Sequence, residues 1–383
     1  MGPGADTGGA ARHAFPVTPV PHGRWLFTRP DGLMTAYAVA PHGLVRWTER
    51  TGAGETWTGP EWIEVPRWTG HPGMARTREG YVHIAARRSS AADPARQEIV
   101  VATQFQTGRA LTPWHNLGAP GSAPDAGRSL AFGPLTEVNP ATGSVHVLVA
   151  TRTGEIYRRS RNPQGNWGGW KSVMNDPEAG EPVTVLAEGG ALEVLVRGTS
   201  AADRWVGRPQ GHLERVDRVP ATLVPGSATA YETGPERATF FWRRPGDGSV
   251  VAWRPPSTGG EGPAELGGAG GRGAPAVTRV VMEGHDCTVL AQCAVNGGVE
   301  VAAYVTEHEE YGLWWAPTGG PDAQSVQIVL DGAGRVAVAA LDTRGALHIT
   351  RQKTAREGLA LGRWRRVGRP ARGGAWDVPP RAG

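Results

Sequence analysis

Seven acidic residues recur along this chain beside glycine-bearing turns: Asp31, Glu79, Glu137, Glu188, Glu232, Glu283 and Asp331. Gathered around a common axis, such carboxylates could hold a cation or a basic ligand. The simpler reading is turn chemistry, because acid–Gly pairs suit tight turns and Gly takes positive φ at little steric cost. Tryptophan, present fifteen times, is the second chemical signal. An exposed indole offers a flat apolar face for the C–H groups of a sugar, with its N–H as a polar handle. Trp57, Trp114, Trp167 and Trp364 recur at similar places and are expected to pack one unit against the next. Trp68 and Trp315 fall outside that register, near expected loops, and are the better ligand candidates. His71, Arg88, Arg128, Asp176 and Arg243 lie in or beside loops that could share one face, where they could serve a small-molecule site. The run His285-Asp286-Cys287…Cys293 contains zinc-ligand residue types, but its spacing matches no finger and no metal is expected. Nor is a disulfide expected. Both cysteines fall within one strand, which separates them by about 20 Å at ~3.3 Å per residue, against a limit of ~7 Å between bridged Cα atoms.

The elements that must position these residues follow from the spacing. Successive acids lie 44 to 58 residues apart, with a mean of 50. Each acidic turn leads into an apolar or alternating run, such as Leu33 to Val39, Val145 to Ala150 or Val336 to Leu341. A second turn follows (Pro41-His42-Gly43, Arg152-Thr153-Gly154, Thr343-Arg344-Gly345), then a third run (Leu44 to Trp47, Glu155 to Arg158, Ala346 to Thr350). A Trp-bearing piece closes most units: Trp57 to Val65, Trp114 to Leu117, Trp167 to Val173, Trp364 to Val367. Four short strands in a unit of this length make one propeller blade. The pattern therefore predicts an all-β chain, a seven-bladed β-propeller with four-stranded antiparallel blades. Breaks are expected near residues 66, 120, 175, 222, 270 and 320. A pair of β-sandwiches would give similar strand spacing, but not seven units in regular succession. The propeller is expected over residues 23–368, with a disordered N-terminus and possible closing strap over 1–22 and a tail over 369–383. No strand is expected to be shared between the chain ends. Closure would then rest on packing between the first and last blades, helped by the Ala14-Phe15-Pro16-Val17 segment with Phe15 buried.

Composition narrows the function classes. Gly (56) and Pro (32) are abundant in the 383 residues, and no apolar run approaches the ~20 residues that a membrane helix needs, so no membrane partner is expected. The net charge is +4, and only Lys171 and Lys353 are lysines, an arginine bias like that of a high-GC bacterium. A nucleic-acid partner is not expected, because the one dense basic run, Arg363 to Arg372, reads as a solvated tail. The first residues lack the apolar core of a secretory signal, so the expectation is a cytoplasmic protein, or export by another route. Nucleophile-elbow, zincin, P-loop and dinucleotide motifs are absent, and no cofactor is expected.

The segment Gly154-Glu-Ile-Tyr-Arg-Arg-Ser-Arg…Gly165-Asn-Trp167-Gly-Gly-Trp170-Lys-Ser-Val resembles a known repeat. Seven-bladed bacterial lectins of the Photorhabdus fucose-binding type, and tectonin-like propellers, carry units of this kind. Pro113-Trp114-His115-Asn116-Leu117-Gly118 and Gly362-Arg363-Trp364-Arg365-Arg366-Val367-Gly368 resemble their closing part, and Gly43 to Trp47 with Trp57 does so more loosely. The resemblance spans residues 24–368 as a pattern and is weak in the fourth and fifth units, which lack the closing Trp. It implies a carbohydrate-binding propeller with sugar sites in clefts between blades and a glycan as partner. The alternative is a small-molecule enzyme, a lyase or cyclase, with its site at the mouth of the channel.

Overall fold

In the second strand of the seventh unit, Val336–Asp342, every residue but the last is buried. Such a strand has an apolar neighbour on both faces, so its sequence is a continuous apolar run rather than an alternation. The outermost strand Trp57–Glu64 has no fully buried residue and mixes polar with aromatic side chains. This gradient from apolar centre to amphipathic edge repeats in each unit of the computed structural model. The structure describes residues 16–21, 23–51, 56–121, 127–208, 211–255 and 262–368.

These residues form seven four-stranded antiparallel sheets, each built from four consecutive strands: a seven-bladed β-propeller. The first strand of each sheet is innermost. In order these are Leu26–Thr28, Trp68–Arg76, Leu130–Val138, Pro182–Leu186, Thr229–Gly234, Arg272–Met282 and Ala323–Leu330. Segments of all seven line one central cavity. The acid–Gly turns join first strands to second strands, as the spacing predicted, and so ring one mouth of the channel.

Ring closure uses no shared strand among the described residues. One hydrophobic cluster instead runs through blades seven, one and two, from Ala337 and Leu341 through Leu26, Tyr37 and Trp47 to Ile84. Hydrogen bonds stitch the same seam: Trp25 Nε1 donates to Ser325 Oγ at 3.0 Å, and Arg351 reaches Glu49 at 2.9 Å. Gln324 donates to the Val17 carbonyl, and Thr18 exchanges two backbone hydrogen bonds with Val39. Phe15 and the first twelve residues lie outside the described residues. The acidic turns of blades one and seven meet so closely that a Cβ on Gly332 would stand 2.3 Å from Gly32 Cα, so this crossing demands glycine on both sides. Cys287 and Cys293 are buried free thiols within the strand His285–Cys293.

Candidate functional site

Two side-chain devices hold adjacent blades together, one built on tryptophan and one on arginine. In the first, an indole at the start of an outermost strand donates its Nε1–H to a main-chain carbonyl of the preceding blade. Trp114 donates to Glu64 at 2.9 Å, Trp170 to Leu117 at 2.9 Å, Trp315 to Leu266 at 2.8 Å and Trp364 to Thr318 at 3.3 Å. In the second, an arginine on or just after a third strand reaches the next blade. Arg46 donates to the Arg109 carbonyl at 2.5 Å, Arg158 to those of Arg208 and Gly211, and Arg254 to that of Glu307 and to Glu309. Sequence reasoning missed the arginine device, although Leu44-Val45-Arg46-Trp47 and Ile156-Tyr157-Arg158 show its repetition.

The residues singled out by sequence lie mostly on the face opposite the acidic turns, but they do not converge. Trp68 is half-buried against the core of blades one and two, and it pairs across the sheet with Arg88. Arg88 is tied to Glu98 at 3.2 Å. His71 has φ +57° and stands exposed in a bulge of the same strand. Arg128 pairs with Asp93 at 2.5 Å, and the Asp176 carboxylate accepts the Glu178 N–H in a turn after the third blade. Arg243 is only 1% exposed, with its guanidinium bonded to the carbonyls of Gly248 and Gly273 and to Gln292. Burial alone lowers its pKa first, to about 10. None of the seven lines the central channel cavities. Trp315 keeps the register of the seam tryptophans, contrary to the sequence expectation. Trp167 is half-buried beside Trp170, three residues on, which takes the seam position.

Turn chemistry explains three members of the acidic ring. Asp331 accepts the Ala333 and Arg335 N–H groups and pairs with the Arg335 side chain, while Asp31 accepts the Leu33 N–H. Glu232 ties two turns together by accepting the N–H groups of Glu188 and Glu236. Among the described residues, no three acids, histidines or cysteines gather in a way that could hold a metal. Glu137 differs from its counterparts. Asn139 makes the turn contacts in blade three, so Glu137 falls within the innermost strand and faces the channel.

That channel contains three adjoining cavities of about 160, 120 and 470 Å³, all bordered by Arg24. Arg76 and Glu137 border the two latter cavities. The Arg24 guanidinium lies over the Tyr231 ring, 5.1 Å from its centroid. Burial pushes the Glu137 carboxyl up to about 7, against the opposing effects of a 2.7 Å hydrogen bond from Thr184 and the charge of Arg24. Near neutrality this group can exchange a proton.

A second open feature lies on the loop between the third and fourth strands of blade six, Val299–Val305 and Ala316–Pro317. Trp314 is 85% exposed there and Tyr311 is 78% exposed. His308 stacks on Tyr311 at 5.3 Å and bonds to Glu310. Sequence inspection picked Trp315, the indole turned into the seam, and passed over its neighbour Trp314. The Trp314-Trp315 pair was legible, but not which of the two faces solvent.

No family model matches the chain, and no curated protein does. Among solved structures, the BP39L lectin from Burkholderia pseudomallei matches with a TM-score of 0.67 at 15% identity, over 89% of this chain and 97% of that one. A sialidase, the Hadza microbial Hz136, gives a TM-score of 0.49 at 13% identity over 84% and 72% of the two chains. The Aleuria aurantia lectin in complex with Fucα1-6GlcNAc gives 0.45 at 12% over 80% and 99%. At these identities the likeness is one of fold: the chain shares the β-propeller of the Burkholderia lectin along nearly that lectin's whole length.

Proposed function

We propose that this protein is a carbohydrate-binding propeller that takes its ligand on the aromatic loop of blade six. The observation that carries the reading is the exposure of Trp314 and Tyr311 beside the polar groups of His308 and Glu310. Large rings held in water are costly and mark interaction surfaces, and flat rings rimmed by hydrogen-bonding groups suit the amphipathic faces of a sugar. The overall likeness to the Burkholderia lectin supports the same class, and membership of the Photorhabdus-type lectins is part of this proposal. A glycan array that includes fucosylated and methylated sugars, followed by calorimetry, tests it. Binding that disappears in Trp314→Ala at an unchanged melting temperature supports the reading, and silence across the array contradicts it. A second reading, a lyase or cyclase, draws on Glu137, whose proton exchange near neutrality beside Arg24 suits general acid–base work.

A further inference from the structure

Among the described residues, two arginines that border the channel have no ion-pair partner. Arg24 lies two residues ahead of the innermost strand of blade one, and Arg76 ends that of blade two. Both border the same two cavities. Arg24 rests on the Tyr231 ring, and Arg76 donates to the Thr28 carbonyl. Among the described residues, neither has a carboxylate within ion-pair distance. Arg279, which borders the same 470 Å³ cavity, is by contrast neutralised by a bidentate contact with Asp286. Facing guanidinium groups in a confined lumen repel one another, and the field they create favours an anion between them. Burial first, and then the charge of Arg24, holds the Arg76 pKa below its ordinary value.

We propose that the channel is a binding site for a small oxyanion, a carboxylate or sulfate-like group held between Arg24 and Arg76. Guanidinium groups match oxyanions in bidentate fashion, and a cavity of this size falls within the range of small-molecule pockets, ~300–1,000 Å³. Glu137 tunes the site. Its carboxylate faces Arg24 and competes with the anion when ionised, so it favours binding when neutral, below about 7. The other groups that face it are Thr184, its hydrogen-bond donor, and Tyr231 and Arg279 across the lumen. Arg78 and Glu232 lie at the acidic-turn mouth, and Glu181, bonded to the Gly226 N–H, lies at the other. The innermost strand of blade seven contributes only Ile328, Val329 and Leu330 to this cavity.

The test is calorimetric titration of the full chain with sodium sulfate and with sodium lactate, both of which keep their charge between pH 6 and 8. The expected result is saturable binding, at least threefold tighter at pH 6 than at pH 8. In an Arg24→Gln/Arg76→Gln variant whose melting temperature is unchanged, binding should weaken at least tenfold. Sulfate alone identifies a free inorganic ion as the source, and tighter lactate binding identifies an organic acid. Failure of both anions to bind, or equal binding by the double variant, overturns the proposal. Affinity that does not change with pH removes Glu137 from it. The readout does not involve the aromatic loop, so a silent glycan array and a silent channel are separate results.

Discussion

The seams between blades and the open surfaces of the molecule use the same residue types to opposite ends. In the seams, Trp315 has its indole N–H on the Leu266 carbonyl, and Arg243 is sealed under two carbonyls and Gln292. On the open surfaces, Trp314 stands in water, and Arg24 and Arg76 border the channel with no ion pair among the described residues. Residue type therefore says little about function in this fold. What distinguishes a structural Trp or Arg from a binding one is whether its polar atoms are already engaged.

The contrast is sharpest at Arg243. Truncation to Ala leaves the carbonyls of Gly248 and Gly273 and the Gln292 side chain without their donor in a dry seam. The expected loss is about 3–5 kcal/mol in a urea melt, because buried acceptors stripped of a charged partner are costly. Arg24→Ala, in the open channel, should change stability by less than about 0.5 kcal/mol. Equal losses at the two sites would erase the distinction.

The tryptophan pair gives the next effect. Trp315→Phe keeps an aromatic ring but abandons the Leu266 carbonyl, with an expected loss of about 1–3 kcal/mol. Trp314→Phe should stay within about 0.5 kcal/mol of the parent. A comparable loss at Trp314 would mean that its ring packs in solution and is not presented to a ligand.

The fold was legible because its punctuation is chemical. An acidic turn about every 50 residues, followed by apolar runs, fixes seven units and their strand order whatever the side chains do afterwards. The site was much less legible. Trp314 and Trp315 are neighbours, and only the position of the short strand Ala316–Pro317 decides which ring turns inward. Glu137 did leave a trace, because it stands two residues ahead of Asn139, the true turn former of its blade, and so belongs to the strand. Arg24 and Arg76 left none, since nothing local to either shows that they border the same cavities.

The smallest stability effect concerns pH. Below its ordinary value of 4.5, Glu137 is protonated whether the chain is folded or not. Between that value and about 7, the folded protein keeps a proton that the unfolded chain releases, so this group's contribution to stability is lost as pH rises through the window. Glu137→Gln removes the dependence, and its stability relative to the parent should rise by about 1–2 kcal/mol from pH 5 to pH 8, with allowance for water in the channel. Two buried histidines, His83 and His146, act in the opposite direction. Burial, assisted by Arg161 and Arg158 respectively, depresses His83 and His146 to about 4, so the stability they confer is lost as pH falls from 6.5. The comparison of variant with parent at each pH isolates Glu137 from them. A flat difference would mean that the channel carboxyl is ordinary.

Calorimetry with the best sugar from the array decides whether the open aromatic loop of blade six or the half-buried Trp68 meets a glycan. Three proteins are compared: the parent, Trp314→Ala and Trp68→Ala. The expected result is saturable binding by the parent, loss of at least tenfold in affinity in Trp314→Ala at an unchanged melting temperature, and near-parental affinity in Trp68→Ala. Full binding by Trp314→Ala, with loss in Trp68→Ala, would move the site to the opposite side of the ring and contradict it.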